Sequence, residues 1–186
     1  MSTSISEIVA QRKSVRAYLD KQVPADDLAK IVEAGRWAPN AGDFHISVIL
    51  NAQLRERINE ATRHAMVNSD REFLRERVAL PGYEPLYGAP ILILLSAPAD
   101  ARYCAFYVAL AAENMLLEAT ALGLASCFIM SPTLALNREE NQILAREAGI
   151  PDGYELQCAV LVGHAAAENK FSLGERTIRG TVTYLD

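Results

Sequence analysis

The chain is poor in the residues on which small extracellular domains and metal modules depend. Its three cysteines, Cys104, Cys127 and Cys158, are odd in number and far apart, so they suggest neither a disulfide framework nor a CxxC zinc pair. They read as small core residues in a reducing cytoplasm. His45, His64 and His164 lack H-E-x-x-H spacing, and no metal ligand is assigned. Neither G-x-G-x-x-G nor G-x-S-x-G occurs, which leaves a Rossmann nucleotide fold and a nucleophile-elbow hydrolase without support. Basic excess is also missing. A net charge of -5 gives no electrostatic reason to expect a nucleic-acid partner. The N-terminus has no basic segment leading into an apolar run, so the expected location is cytoplasmic. The longest apolar stretch, from Tyr103 to Leu124, is interrupted by Glu113, Asn114 and Glu118 and reads as a buried helix, not a membrane span.

What is present suits one globular domain spanning 1–186, long enough to bury its core without covalent staples. Near its start lies Gln11-Arg12-Lys13-Ser14-Val15-Arg16-Ala17-Tyr18, a concentration of cationic and hydroxyl donors. In extended backbone, Arg12, Ser14, Arg16 and Tyr18 project together while Val15, Ala17 and Leu19 turn toward the core. Such a face fits an anion, because guanidinium forks and a compact hydroxyl both donate to oxygen. A solvated basic turn is the other reading that the stretch allows by itself.

Along the chain, Ser4 with Glu7 forms a capping-box pattern for a helix ending near Gln11. Pro24, Asp26 and Asp27 open a second helix that stops before Ala38-Pro39. Asn40-Ala41-Gly42-Asp43 is turn chemistry, and Ile46 to Leu50 reads as a strand. Helices follow from Asn51 to Met66 and, behind Ser69 and Glu72, to about Leu80. Ile91 to Leu95 has the apolar continuity of a strand buried on both faces. Ala101 to Leu122 spans roughly 33 Å as a straight helix, and Gly123 supplies its left-handed stop. A further strand is expected from Ala125 to Met130, a helix beginning around Asn137 and Glu140 and ending at Gly149, a strand from Leu156 to Val162, and an edge strand from Thr181 to Leu185. Two helices precede the first strand, which favours an α+β fold over strict βα alternation.

Several segments, in this order, carry a resemblance: Arg12-Lys13-Ser14-Val15-Arg16, Ala34-Gly35-Arg36-Trp37-Ala38-Pro39-Asn40-Ala41, Tyr87-Gly88-Ala89-Pro90, Ala112-Glu113-Asn114-Met115-Leu116-Leu117, Ala121 through Ile129, and Gly149-Ile150-Pro151-Asp152-Gly153-Tyr154 leading to Leu161-Val162-Gly163-His164. Across nearly its whole length the chain resembles the flavin-dependent nitroreductase family, of which it looks like a compact member. The resemblance implies an α+β fold with a mixed, mainly antiparallel sheet, and a homodimer with FMN at the subunit interface. NADH or NADPH would be the electron donor, and a quinone, nitroaromatic or other small organic molecule the acceptor, in ping-pong order.

By the same resemblance, Arg12, Lys13 and Ser14 belong to the cofactor site at the phosphate and ribityl end, and Arg16 faces the pyrimidine edge of the flavin. Pro39, Asn40 and Ala41 would come from the partner subunit to cover the ring, with Met130 and Ser131 near N5. Arg176 or Arg179 would meet the phosphate, with Lys170 a further candidate. No side chain is assigned as an obligatory acid or base. Each role stands beside a plainer one: Asn40 as a turn former, Met130 as core packing, Arg176 and Arg179 as surface cations. Other activities also fit the resemblance. They are a non-catalytic dimer that stores or senses flavin, and family chemistry directed at dehalogenation, oxidative dehydrogenation or flavin-ring cleavage. In one departure, Gly42-Asp43-Phe44-His45-Ile46 runs almost directly into a strand where family members carry an Asn-x-Gln-Pro-Trp segment.

Overall fold

The computed structural model describes residues 4–168, 171 and 177–185, which contain seven α-helices, one 3-10 turn and five strands. The first helix, α1 (Ile5–Gln11), opens on the expected capping box: Ser4 Oγ accepts from the Glu7 amide and the Glu7 carboxylate accepts from the Ser4 amide at 2.7 Å. The chain then extends into a two-residue strand, β1 (Tyr18–Leu19). Next come α2 (Ala25–Arg36), β2 (His45–Ile49), α3 (Ala52–Val67) and α4 (Glu72–Val78). The second half contains β3 (Ile91–Pro98), α5 (Cys104–Ala121), β4 (Ala125–Ile129), α6 (Thr133–Leu136), a 3-10 turn (Glu139–Asn141), α7 (Gln142–Glu147) and β5 (Tyr154–Ala165).

β5 is the centre of the sheet. It pairs antiparallel with β3 on one side, and with β4 and β1 on the other, while β2 extends the sheet beyond β3. The expected run from Ile91 is buried throughout, and side-chain alternation divides it between two cores. Ile91, Ile93 and Leu95 join Cys158, Val160 and Val162 beneath α2 and α5, whereas Leu92 and Leu94 join Ala159 and Leu161 on the face covered by α3, α6 and α7. Each fully buried Leu or Ile contributes about 1.5–3 kcal/mol. α2 and α5 approach closely because residue 35 is glycine: a Cβ there would lie 2.3 Å from Met115 Cε. Gly123, at φ +70, ends the central helix as expected.

Three expectations need correction. Ser69 does not cap α4: its hydroxyl accepts from the Arg71 amide, and Arg71 becomes the N-cap without a side-chain bond. α6 was not anticipated, since four residues are too few to show a helical period. Thr181 to Leu185 forms no strand; its backbone pairs with no sheet edge and its residues are exposed. Among the described residues, no helix is long and apolar enough to cross a membrane.

Candidate functional site

The donor stretch is held by strand chemistry. Arg12 caps α1, its amide donating to Ile8 O at 2.9 Å, and the chain then runs beside β4. Ser14 forms a parallel bridge with Ser126, and the Val15 amide donates to Ser126 O at 2.9 Å. Val15 is only 5% exposed, so it anchors the stretch to the core as its apolar character requires. Ser14 and its cationic neighbours are left along the β4 edge. Lys13 points to solvent.

Arg12 places Nε 3.3 Å from Glu113 Oε1, which ties the stretch to α5. The residue after Ser14's backbone partner is Cys127, whose thiol donates to Phe128 O at 3.6 Å. Burial pushes that thiol up, and Arg16, Ser14, Arg12 and Arg77 all oppose the rise. One buried sulfur thereby senses three guanidinium groups. Among the described residues, Arg16 has no carboxylate within ion-pair distance. A half-buried cation in that position is suited to an anion brought in from outside.

The expected alternation fails at one end of the stretch. Leu19 is exposed, while Tyr18 packs against the core that contains Cys127 and donates to Val15 O at 2.9 Å. Burial raises the Tyr18 pKa well above its usual value, with Cys127 adding to the rise and Arg16 opposing it. Tyr18 therefore stays a neutral hydroxyl that braces the stretch from beneath. β1 requires this change of face, because its pairing with Ala165 and His164 fixes the register.

The remaining predicted residues lie elsewhere. Pro39, Asn40 and Ala41 are exposed in the turn after α2. Buried Ala38 anchors one end of this turn, and at the other the Tyr107 hydroxyl donates to Asp43 O at 3.1 Å. Asn40 donates weakly to Ala38 O at 3.4 Å, as a turn former does. Met130 lies just beyond β4 and is 60% exposed, which removes core packing as its role. Half-buried Ser131 follows it. Ser126 on β4 and Met130 just past its end are thus about 13 Å apart at the rise of extended chain. Arg179 is exposed; Arg176 and Lys170 lie outside the described residues.

Two residues that bear on this region have no site role legible in the sequence. Glu113 reads as a charge interrupting an apolar helix and as part of the Ala112–Leu117 segment. Arg77 sits among other charges on α4 and has no local signal. The surface of α5 also has an unexpected continuity: Phe106 is 72% exposed and Leu110 48%, at helical spacing with Glu113, and Ile5 and Val9 of α1 are exposed as well.

Comparison with known proteins gives a consistent picture. The model of the Nitroreductase family matches residues 9–164. A Bacteroides fragilis nitroreductase solved with bound FMN is 34% identical, with 99% of this chain and 100% of that chain covered at a TM-score of 0.87. A Desulfitobacterium hafniense nitroreductase solved with bound FMN shares the fold, with a TM-score of 0.87 at 22% identity and full coverage of both chains. An Archaeoglobus fulgidus protein provisionally named NADH dehydrogenase/NAD(P)H nitroreductase is 28% identical over 172 residues, 89% of this chain and 87% of its own length.

Proposed function

The chain belongs to the nitroreductase family, and from that premise we propose that residues 1–186 form one FMN-binding domain of a homodimeric, cytoplasmic oxidoreductase. When bound, FMN would supply two-electron chemistry between NADH or NADPH as donor and a quinone, nitroaromatic or other small organic molecule as acceptor, in ping-pong order. The observation that carries this reading is the donor edge at β4. Arg12, Ser14 and Arg16 stand together there because the Val15–Ser126 bond and the burial of Val15 leave them no other register.

The residues present fit the cofactor. Arg12, Ser14 and the adjacent Lys13 offer donors suited to phosphate and ribityl oxygens, and Arg179, with Arg176, adds cationic charge from the C-terminal segment. Arg16 would supply a fixed positive charge for the negative charge that a flavin gains on reduction, which would favour the reduced form. Pro39, Asn40 and Ala41 are rigidly based yet open, as suits residues that cover a ring bound to a second copy. Met130 and Ser131 follow the end of β4, on the side assigned to hydride exchange. The apolar stripe of α5 supports the dimer, and three free thiols suit a reducing compartment.

The test is direct. The purified protein is expected to show a flavin spectrum, natively or after addition of FMN, and to oxidise NADH or NADPH when given menadione or a nitrobenzene derivative. A colourless protein that ignores added FMN refutes the proposal. Bound FMN that neither nicotinamide reduces would favour a storage or sensing protein instead.

A further inference from the structure

Arg77 lies on α4 and is half-buried, with its Nη2 donating to the Tyr87 hydroxyl at 3.0 Å and its guanidinium carbon 5.2 Å from the centre of the Tyr83 ring. Tyr83 and Tyr87 meet edge to face at 5.6 Å, and Phe171 closes on Tyr83 at 5.4 Å. This ledge is built at a cost. Tyr87 has φ +52, a left-handed conformation unfavourable for a residue with a Cβ, immediately before Gly88 at φ +69. The turn directs Tyr87 both toward Arg77 and against the core that holds Tyr18 and Cys127.

An Arg in an ordinary structural role would be expected to meet a carboxylate. Among the described residues Arg77 meets none, and its side-chain partners are a phenol and an aromatic face. Those groups orient a guanidinium but do not neutralise it. The ledge therefore presents a pre-positioned positive charge whose phenol partner, Tyr87, packs against the same core as Tyr18 and Cys127.

We propose that Arg77 is a third cation of the cofactor site, sharing the negative charge of bound FMN with Arg12 and Arg16 while Tyr83 and Tyr87 act as its positioning residues. The inference rests on the FMN reading above. The Coulombic reach of Arg77 to Cys127, the thiol that Arg12 and Arg16 also influence, accords with this placement. FMN offers two anionic loci, the phosphate and the reduced ring, and both are chemistry that a guanidinium recognises.

The test measures dissociation constants of FMN and riboflavin for wild-type apoprotein, Arg77→Gln and Arg77→Lys, together with the midpoint potential of each FMN complex. Arg77→Gln is expected to weaken FMN binding about tenfold, the loss of one charge-assisted hydrogen bond, with Arg77→Lys recovering part of it. A loss confined to FMN assigns Arg77 to the phosphate. A loss shared by riboflavin, with a lower potential, assigns it to the ring. Tyr87→Phe, which keeps the ledge but removes the hydroxyl, is expected to reproduce a smaller version of the same change. If wild type binds FMN and a folded Arg77→Gln binds it equally, with unchanged potential, the inference is overturned while the family reading survives. A wild type that binds no FMN overturns the family reading itself.

Discussion

The donor stretch at 12–18 and the turn at 39–41 are both assigned to one cofactor, yet a single chain treats them in opposite ways. The first is closed in: Val15 is buried, its amide is paired to Ser126, Arg12 meets Glu113 and Tyr18 braces the segment from below. The second is fixed only at its ends, by Ala38 and by the Tyr107–Asp43 bond, and its three residues face solvent. The difference indicates how much of a site one chain completes alone. The closed stretch takes its backbone and apolar partners from its own chain and leaves Arg16 without a carboxylate among the described residues, whereas the open turn has partners at its ends alone. Glu113 joins the closed stretch to a second open surface, because it holds Arg12 and also lies on α5 at helical spacing with exposed Phe106 and Leu110.

The sharpest way to break the comparison is to charge the open surface of α5, which is proposed to meet the same second copy as the turn. Phe106→Asp should leave the isolated fold within about 0.5 kcal/mol of wild type, because the position is already exposed. Burying an unpaired carboxylate in a dimer interface would cost several kcal/mol. The expected outcome is conversion of dimer to monomer by light scattering, with FMN lost at the same step and far-UV circular dichroism retained. A variant that stays dimeric and yellow would show that α5 is not the interface. Val15→Ala attacks the closed side instead. Removing two buried methyls should cost about 2 kcal/mol in chemical denaturation, whereas Pro39→Ala in the open turn should shift stability by no more than about 0.5 kcal/mol. Equal losses at the two sites would erase the distinction.

Arg16→Ala acts on ligand binding more than on folding, since among the described residues Arg16 forms no ion pair. FMN affinity is expected to fall about tenfold, and the flavin potential to become more negative as stabilisation of the reduced ring is lost. Unchanged affinity and potential, measured by fluorescence titration and redox equilibration, would remove Arg16 from the site.

The closed regions were the more legible ones in the sequence, for a physical reason. Ser4–Glu7, the apolar run from Ile91 and the Gly123 stop are local devices that act within a few residues, and the structure contains all three. Val15 was expected to face inward and does, because an apolar β-branched residue between cations has one favourable face. Leu19 was expected to follow it and does not, since pairing with His164 sets the face of β1, and that partner lies far along the chain. Thr181 to Leu185 had strand chemistry but no edge to join. Ser69 had capping chemistry but bonded two residues onward. Arg77 marks the limit: its partners Tyr83 and Tyr87 are close in sequence, but where it stands depends on how α4 packs against α3 and on the turn that presents Tyr87 to the core of Cys127. Local chemistry shows what a residue is able to do, and only tertiary contacts show what it stands beside.

The smallest expected effect sharpens the closed side through pH. Cys158 lies on β5 among residues with almost no solvent access, and burial pushes its thiol up to about 12 from an ordinary 9.0. The unfolded chain therefore releases this proton before the folded chain does. The resulting stabilisation is fully present below pH 9 and is lost as pH climbs from 9 toward 12. At pH 9.5 the loss from this one group amounts to about 0.8 kcal/mol. Urea denaturation between pH 8 and 9.5 should show wild type losing stability more steeply than Cys158→Ala by that amount. The variant starts from lower stability at pH 8 because it lacks the buried sulfur. Parallel slopes would mean that the centre of the sheet admits enough water for the thiol to ionise in place, and the contrast between closed strand and open turn would then be one of exposed side chains alone.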